Sequence, residues 1–299
     1  DIAYAWWKVG RPGTDFKYRT FIDQPNGKTL WTTDSSRGGK SERQYSMAEL
    51  AITIVDARQE YPQRVVKAAL GFLSEESARK YLPYLYEVVA ISGRTATSLT
   101  GEKAFLQRKV VHMSGRKGLV VNAEDILDEL SRRAREESKK RNPDAREEWL
   151  ETIANEIAIG SLRYALVKLD LKSLVVFDVE ESLNLEGDTG SRLQYTYARA
   201  HGILEKARPF RRTQTKTDLQ WSEPEWDLIA QLSKLSYFVD AAARDLQPKV
   251  LAHYARALAD RFNIFYERCP VLTAETEELR SCRLALVEGF SWVFGTVLE

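Results

Sequence analysis

Only two cysteines and three histidines occur in 299 residues. Cys269 and Cys282 form no CxxC pair and no histidine ladder accompanies them, so neither a zinc site nor a disulfide framework is expected. Two reduced thiols fit a cytoplasmic protein. No run approaches the ~18 apolar residues of a spanning helix, and the opening stretch DIAYAWWKVGRPG lacks the basic-then-apolar order of a signal peptide. No membrane partner is expected. Net charge is +1, with 44 basic against 43 acidic side chains. Without a global basic excess, any polyanion site has to come from local clustering. Neither GxxxxGK[ST] nor GxGxxG occurs, so two common phosphate-binding signatures are absent as well.

What is present can build cores: 43% of the residues are apolar and 29% charged, in a length that suits about two domains of ~100–200 residues. The region 1–118 is mixed. Two β-rich runs flank PNG, and Asn26-Gly27 suits the left-handed dihedrals of a hairpin turn. A buried strand over 50–56 and, after Pro62, a helix over 63–73 point to part of an α/β sheet. That is too little sheet for a complete doubly wound domain. From 119 onward helices dominate. AEDILDELSRRAREESKKR opens with acids and closes with bases, as the helix dipole favours. Asn142-Pro143 predicts a new helix, with Asn as cap and Pro in the first turn, and a turn at 187–190 precedes another. Over 208–299, Leu228, Leu232, Leu235, Val239, Ala242 and Leu246 recur at spacings of three and four. Leu279, Leu286, Phe290, Val293 and Val297 repeat the pattern, and Leu251, Leu258, Phe262 and Phe265 lie on a helix starting near Pro248. Such stripes predict a helical bundle.

Chemistry concentrates in a few places. In HMSGRKG, Gly115 and Gly118 allow a close backbone approach while Arg116 and Lys117 bring two positive charges. Such a loop suits a triphosphate whose charge it neutralises as pyrophosphate leaves, though basic glycine turns also occur on plain surfaces. In VDARQEYP, Asp56, Gln59 and Tyr61 form either a site or an ordinary strand-end turn. SRRAREESKKR reads as a solvated face, whereas RPFRRTQTK carries four bases and no acid and is the better phosphate-contact candidate. His201 and His253 stand alone on amphipathic helices and read as packing or surface residues.

Together these stretches resemble a known family. HMSGRKG is similar to the KMSKS loop of class I aminoacyl-tRNA synthetases, in the KMSGRKG-like form of some arginyl-tRNA synthetases. SLRYALVKLD…VVFDVEESLNLEGDTGSRLQYTYARAHGILEKA looks like that family's RYA…FDxxxALSxEGxTGPYLQYAxAR segment. KVLAHYARALADRFNIFYERCPVL followed by ELRSCRLALVEGF looks like its anticodon-binding domain, and DIAYAWWKVG like the block around YxxRDxAY. The resemblance implies the C-terminal half of an arginyl-tRNA synthetase, mainly α with an incomplete α/β part. Residues 1–118 would be the C-terminal portion of a Rossmann-type nucleotide-binding domain, 119–207 a helical stem-contact region and 208–299 an α-helical anticodon-binding domain. It also implies arginine–tRNA ligase chemistry through arginyl-adenylate, or, as the alternative, a tRNA-binding derivative without catalysis. The implied partners are arginine-accepting tRNA, L-arginine and ATP with its Mg2+, with no protein-bound metal.

By motif position, the resemblance makes Arg116 and Lys117 catalytic phosphate clamps within an ATP-binding loop of His112, Met113, Ser114, Gly115, Arg116, Lys117 and Gly118. Asp1, Asp56 and Gln59 become arginine contacts, a carboxylate suiting the planar guanidinium fork. Phe262, Asn263 and Tyr266 become anticodon-loop contacts, and Arg208, Arg211 and Arg212 phosphate contacts. Aromatic rings stack splayed bases at ~1–3 kcal/mol each, although Phe262 suits core packing equally. Three departures stand out. His112 takes the place of a lysine, and a histidine is mostly uncharged at neutral pH. Ser191-Arg192 replace Pro-Tyr, leaving the nearby glycines to shape the turn. No HIGH motif is present, since AHGIL at 200–204 lacks the second histidine. A separate chain carrying the HIGH-motif half is therefore an expected partner. The 299 residues alone are expected to be inactive or nearly so, because nothing in them enforces the approach of ATP to arginine.

Overall fold

In a computed structural model that describes residues 1–10, 16–35, 46–113, 121–208 and 220–299, the chain divides after Val88 into two units. The first begins with α1 (Ile2–Val9) and the hairpin β1 (Lys17–Asp23) and β2 (Thr29–Asp34), with Gly27 at φ 76° in the turn as the Asn-Gly pair predicts. It continues through β3 (Ala51–Asp56), α2 (Glu60–Leu73), α3 (Glu75–Lys80) and β4 (Tyr81–Tyr86). β3 and β4 pair in parallel, from Ala51 opposite Tyr81 to Asp56 opposite Tyr86. Parallel neighbours need a crossover, which α2 and α3 supply. Ala51 and Tyr81 pack with Val66 and Leu70 of α2 and Ala5 and Val9 of α1. The α/β part is real, and among the described residues its parallel sheet is two strands wide.

The second unit contains β5 (Val89–Ile91), α4 (Gly93–Thr100), α5 (Ala123–Arg141), α6 (Glu147–Val167), β6 (Val175–Phe177) and α7 (Val179–Ser182). The bundle follows as α8 (Gly190–Lys206), α9 (Glu223–Leu232), α10 (Leu235–Asp245), α11 (Pro248–Arg268) and α12 (Glu277–Leu298). β5 pairs in parallel with β6, and one core joins Ile91, Val111, Leu130, Ala158 and Phe177. A larger core holds Leu228, Leu258, Phe262, Phe265, Phe290 and Phe294. Glu225 is buried beside it. Ser222 and Arg283 hydrogen-bond its carboxylate, the latter at 2.6 Å.

Three local expectations change. No helix starts at Asn142-Pro143: Asn142 closes α5, its Nδ2 donating to Ser138 O at 3.1 Å, and α6 begins at Glu147. A residue before proline is pushed away from helical dihedrals, and Asn142 obeys with φ −132°, ψ 71°. The stripe from Leu228 to Leu246 is cut at 233–234 into α9 and α10, which leaves Val239 44% exposed. α12, finally, is long and apolar enough to cross a membrane by length and composition, which the run lengths in the sequence did not suggest. Its Leu284, Val287, Phe290 and Phe294 lie in the bundle core.

The charged face of α5 is laced with ion pairs, among them Arg132 with Glu136 at 2.6 Å and Lys140 with Glu137 at 2.6 Å. Glu129 sits deeper, only 12% exposed at its side chain, and joins α5 to α4 by accepting from Ser98 Oγ at 2.7 Å. Hydrogen bonds from Arg132, and then from Ser98 and Arg133, overcome its burial and hold its carboxyl down at about 2. A folded-state value below the ordinary one gives stability that is complete above pH ~4.5 and is lost as pH falls toward ~2. Glu129→Gln is therefore expected to flatten the stability–pH curve in that window, read by denaturant titrations at stepped pH. An unchanged acid limb would remove Glu129 from the account.

Candidate functional site

β3 ends at Asp56, whose carboxylate caps a 3₁₀ turn, Ala57–Gln59, ahead of α2. The turn brings Arg58 back onto the same carboxylate, with Nη2 at 2.6 Å and the backbone N–H at 2.8 Å. The hydrogen bond from the Arg58 side chain holds the Asp56 carboxyl below the usual range. Asp56 thus already carries a guanidinium, which a substrate guanidinium would have to displace. Gln59 and Tyr61 are exposed beside it, at the carboxyl end of a parallel strand, where open α/β folds bind ligands. Asp1 is the N-terminal cap residue of α1. It makes no side-chain capping bond and shares no hydrogen bond or ion pair with Asp56 or Gln59 among the described residues.

In the second unit, Val111 is fixed by a two-way bridge to Ile91, N–H to O at 2.8 Å and 3.1 Å. Directly after Phe177, the β6 residue opposite Ile91, Asp178 caps α7 by accepting from Glu181 N at 2.9 Å. It also accepts from Ser92 Oγ at 2.6 Å and Arg94 Nε at 3.3 Å. Ser92 itself caps α4 through Thr95 N. Burial works against the charge of Asp178, but Ser92, the Glu181 N–H and Arg94 outweigh it and hold its carboxyl low. Asn122 starts α5 in a reciprocal capping box with Asp125. Val111 and Asn122 are thus both held in regular structure. His112 is exposed and Met113 half-buried. Ser114, Gly115, Arg116, Lys117 and Gly118 lie outside the described residues, as do Arg211 and Arg212, while Arg208 is exposed beyond the end of α8. Among the described residues no group of three His, Cys, Asp or Glu side chains is placed to hold a metal ion.

α6, α8 and α11 carry the third set. Gly190 does more than shape a turn: it opens α8 against α6, and a Cβ there would meet Gly160 O at 2.6 Å and Ser161 Cα at 2.9 Å. Backbone atoms cannot step aside cheaply. Gly190→Ala is expected to cost about 1–3 kcal/mol through forced separation of the helices, measured by denaturant unfolding, and a cost near zero would refute the close contact. Next to it, Asp188 accepts from Tyr164 Oη at 2.6 Å and pairs with Arg256 at 2.9 Å. Burial opposes its charge, yet Tyr164, Lys168 and Arg256 keep its carboxyl low, and burial pushes the Tyr164 phenol up. Arg256 and Arg192 both reach Asp260, Arg192 at 2.6 Å.

Two turns further along α8 than Arg192, the pattern of paired charges stops. The Arg199 guanidinium lies over two partly exposed tyrosine rings, 5.0 Å from the centroid of Tyr195 and 4.6 Å from that of Tyr266. It donates to Asn263 Oδ1, and Asn263 Nδ2 donates to Thr196 Oγ1 at 3.2 Å. No carboxylate pairs with Arg199 among the described residues. The result is an uncompensated cation stacked in an aromatic, half-exposed patch, which suits flat bases and phosphates. Of the expected contacts, Asn263 and Tyr266 belong to this patch. Phe262 is a correction: it is fully buried, with its ring stacked 3.9 Å from that of Phe290, and presents no face to a ligand. Tyr195 and Arg199 were overlooked in the sequence, although their i, i+4 spacing in QYTYAR places both on one helix face.

Comparison with known proteins bears on all three sets. The model of the DALR anticodon binding domain matches residues 193–299. The arginine–tRNA ligase of Deinococcus radiodurans is 34% identical over 100% of this chain and 48% of its own length. That of Thermococcus sibiricus is 35% identical over 96% of this chain and 43% of its own. The solved arginyl-tRNA synthetase of Thermus thermophilus superposes with a TM-score of 0.82 at 32% identity, covering 100% of this chain and 46% of that one. The Plasmodium falciparum enzyme, at 18% identity and a TM-score of 0.62, shares the fold. The chain spans about half the length of the relatives it matches.

Proposed function

The chain belongs to the arginyl-tRNA synthetases, aligning with the C-terminal half of their sequences, and from that premise we propose that it serves the ATP-dependent attachment of arginine to tRNA. The observation that carries the reading is the Arg199 patch, because it combines an unneutralised cation with two stacking rings inside the part of the chain similar to an anticodon binding domain. Tyr195, Arg199, Asn263 and Tyr266 receive the anticodon loop, and Arg208, Arg211 and Arg212 meet phosphates. ATP with its Mg2+ would be held by His112, Met113 and the glycine-rich residues that follow, Arg116 and Lys117 neutralising charge as pyrophosphate leaves. Arginine would be received at the β3 end, where Asp56 already binds a guanidinium and Gln59 lies exposed, with Asp1 as the third contact carried over from the family. The free, buried thiols Cys269 and Cys282 fit a cytoplasmic setting.

A second reading is a tRNA-binding protein without catalysis. It draws on His112 in the place of a lysine and on Ser191-Arg192, of which Arg192 is committed to Asp260. The two readings share one experiment. Arginine-accepting tRNA is titrated across a salt series beside the same tRNA with a changed anticodon, and arginine-dependent ATP–pyrophosphate exchange is followed in the same samples. Preferential binding that survives moderate salt supports anticodon reading, whereas equal, steeply salt-dependent binding to both would overturn it. The 299 residues by themselves are expected to give no exchange above background. Robust turnover would show that the HIGH-type donors are dispensable and would sink that expectation.

A further inference from the structure

From Lys103 to Ala123 the sequence carries no acidic residue, in a chain whose acids and bases otherwise nearly balance. The same stretch holds Lys103, Arg108 and Lys109 ahead of Arg116 and Lys117. The first three stand on a turn built onto α4. Phe105 N–H donates to Glu102 O at 3.2 Å, Arg108 N–H donates to Phe105 O at 2.9 Å, and Thr97 Oγ1 of α4 donates to Glu102 O at 3.2 Å. Gly93 opens α4 directly beneath, where a Cβ would run into the carbonyl oxygens of Phe105 and Arg108. Phe105 packs against the core of Ile91, Ala96 and Val111, and the Arg108 guanidinium lies over its ring at 5.5 Å. Lys103, Arg108 and Lys109 are exposed, and none of them pairs with a carboxylate among the described residues, Glu102 included. α5 shows the ordinary arrangement by contrast: Arg132, Arg135, Lys139 and Lys140 are each paired with a glutamate.

We propose that this turn is a second RNA contact, which meets the phosphate backbone of the acceptor arm of tRNA. The inference rests on the function proposed above and adds a site separate from the Arg199 patch, on a different core. Three unpaired cations on one folded turn supply the local excess that a polyanion site needs in a chain of net charge +1. Their side chains stand in the open, so a lone nucleotide would find no enclosing walls. Paired RNA offers a repeating line of phosphates instead, and is met chiefly through its backbone and shape. The choice of arm follows from the chemistry. In the proposed reaction arginine passes to the terminal ribose of tRNA, so the acceptor end has to reach the nucleotide loop. Val110 and Val111 alone lie between Lys109 and His112, where that loop begins.

The test titrates this chain with two parts of an arginine-accepting tRNA across a salt series: a minihelix of the acceptor and T arms, and a hairpin of the anticodon arm. The triple variant Lys103→Ala/Arg108→Ala/Lys109→Ala is expected to bind the minihelix about tenfold more weakly at ~0.1 M salt, with a log–log salt slope shallower by about 2–3. It should bind the hairpin as the parent does. Arg135→Ala/Lys139→Ala/Lys140→Ala removes the same charge from α5 and should leave minihelix binding within about twofold, since screening confines charge effects to ~10 Å. An unaltered circular dichroism spectrum shows that the turn variant folds, and Lys109→Glu alone gives the same reading if it does not. Failure of the parent to bind the minihelix, an unchanged minihelix affinity in the turn variants, or equal losses for minihelix and hairpin would overturn the inference. So would binding of inorganic tripolyphosphate that the triple variant removes, because the turn would then serve the nucleotide. Whole tRNA with a changed anticodon keeps the two readings apart: a minihelix loss beside indifference to the anticodon retains this contact and removes the anticodon function.

Discussion

Arg199→Ala is expected to weaken binding of arginine-accepting tRNA by roughly 30-fold at fixed salt, the equivalent of ~2 kcal/mol when a stacked base and a charge contact are lost together. The size follows from geometry. Arg199 contacts the rings of Tyr195 and Tyr266 and donates to Asn263, so its removal frees three neighbours at once. Arg199→Lys should recover little of the loss, because an ammonium has no flat surface to lay over rings. Tyr266→Phe should bind almost as the parent does, the ring rather than the hydroxyl being the contact. Fluorescence titration decides it, with the unfolding midpoint as a control for structure. An affinity within twofold of the parent would move the RNA interface elsewhere.

Phe262→Ala should act on stability instead, at a cost of about 3–5 kcal/mol, the usual range for emptying a core aromatic site. Its ring is the first of a stack that continues from Phe290 to Phe294 at 3.9 Å and 4.8 Å, and collapse of the site would have to move two helices. Denaturant unfolding of the folded chain reads the loss directly. If Phe262→Ala instead lowered tRNA affinity and left the unfolding midpoint in place, the residue would face RNA and its assignment to the core would fail.

The difference between Phe262 and Tyr266 marks how far the sequence could be read. Leu258, Phe262 and Phe265 follow the three-and-four spacing of a buried stripe, which leaves core and RNA even for Phe262 until its burial against Phe290 decides for the core. Tyr266 is next to the stripe and half outside it. The hairpin at Asn26-Gly27, the strand at 51–56 and α11 starting at Pro248 were legible for the same reason, since their signals are local. What remained hidden depends on partners distant in sequence. Nothing in the neighbourhood of Glu225 announces that an acid will be buried, because Arg283 is 58 residues away. Gly190 looks like a turn glycine until Gly160 is seen against it. Asp56 is the opposite case: Arg58 stands two residues away, and DAR already spells the pair that occupies it.

The bond between Ser92 and Asp178 spans 86 positions of the chain. β5 likewise takes β6 as its parallel neighbour, and Ile91, which anchors Val111, is part of that pairing. A growing polypeptide therefore exposes 89–111 well before the residues that fix it exist. At ribosomal rates of about 5–20 residues per second, the interval is roughly 5–20 s. During that time α5 and α6, which pack on each other, can assemble as a hairpin, while β5 and the Val111 bridged to it wait for their parallel neighbour. β6 and α7 thus govern when Ile91 and Ser92 acquire their footing. A substitution at Asp178 would be felt as delayed or incomplete maturation of a segment translated several seconds earlier.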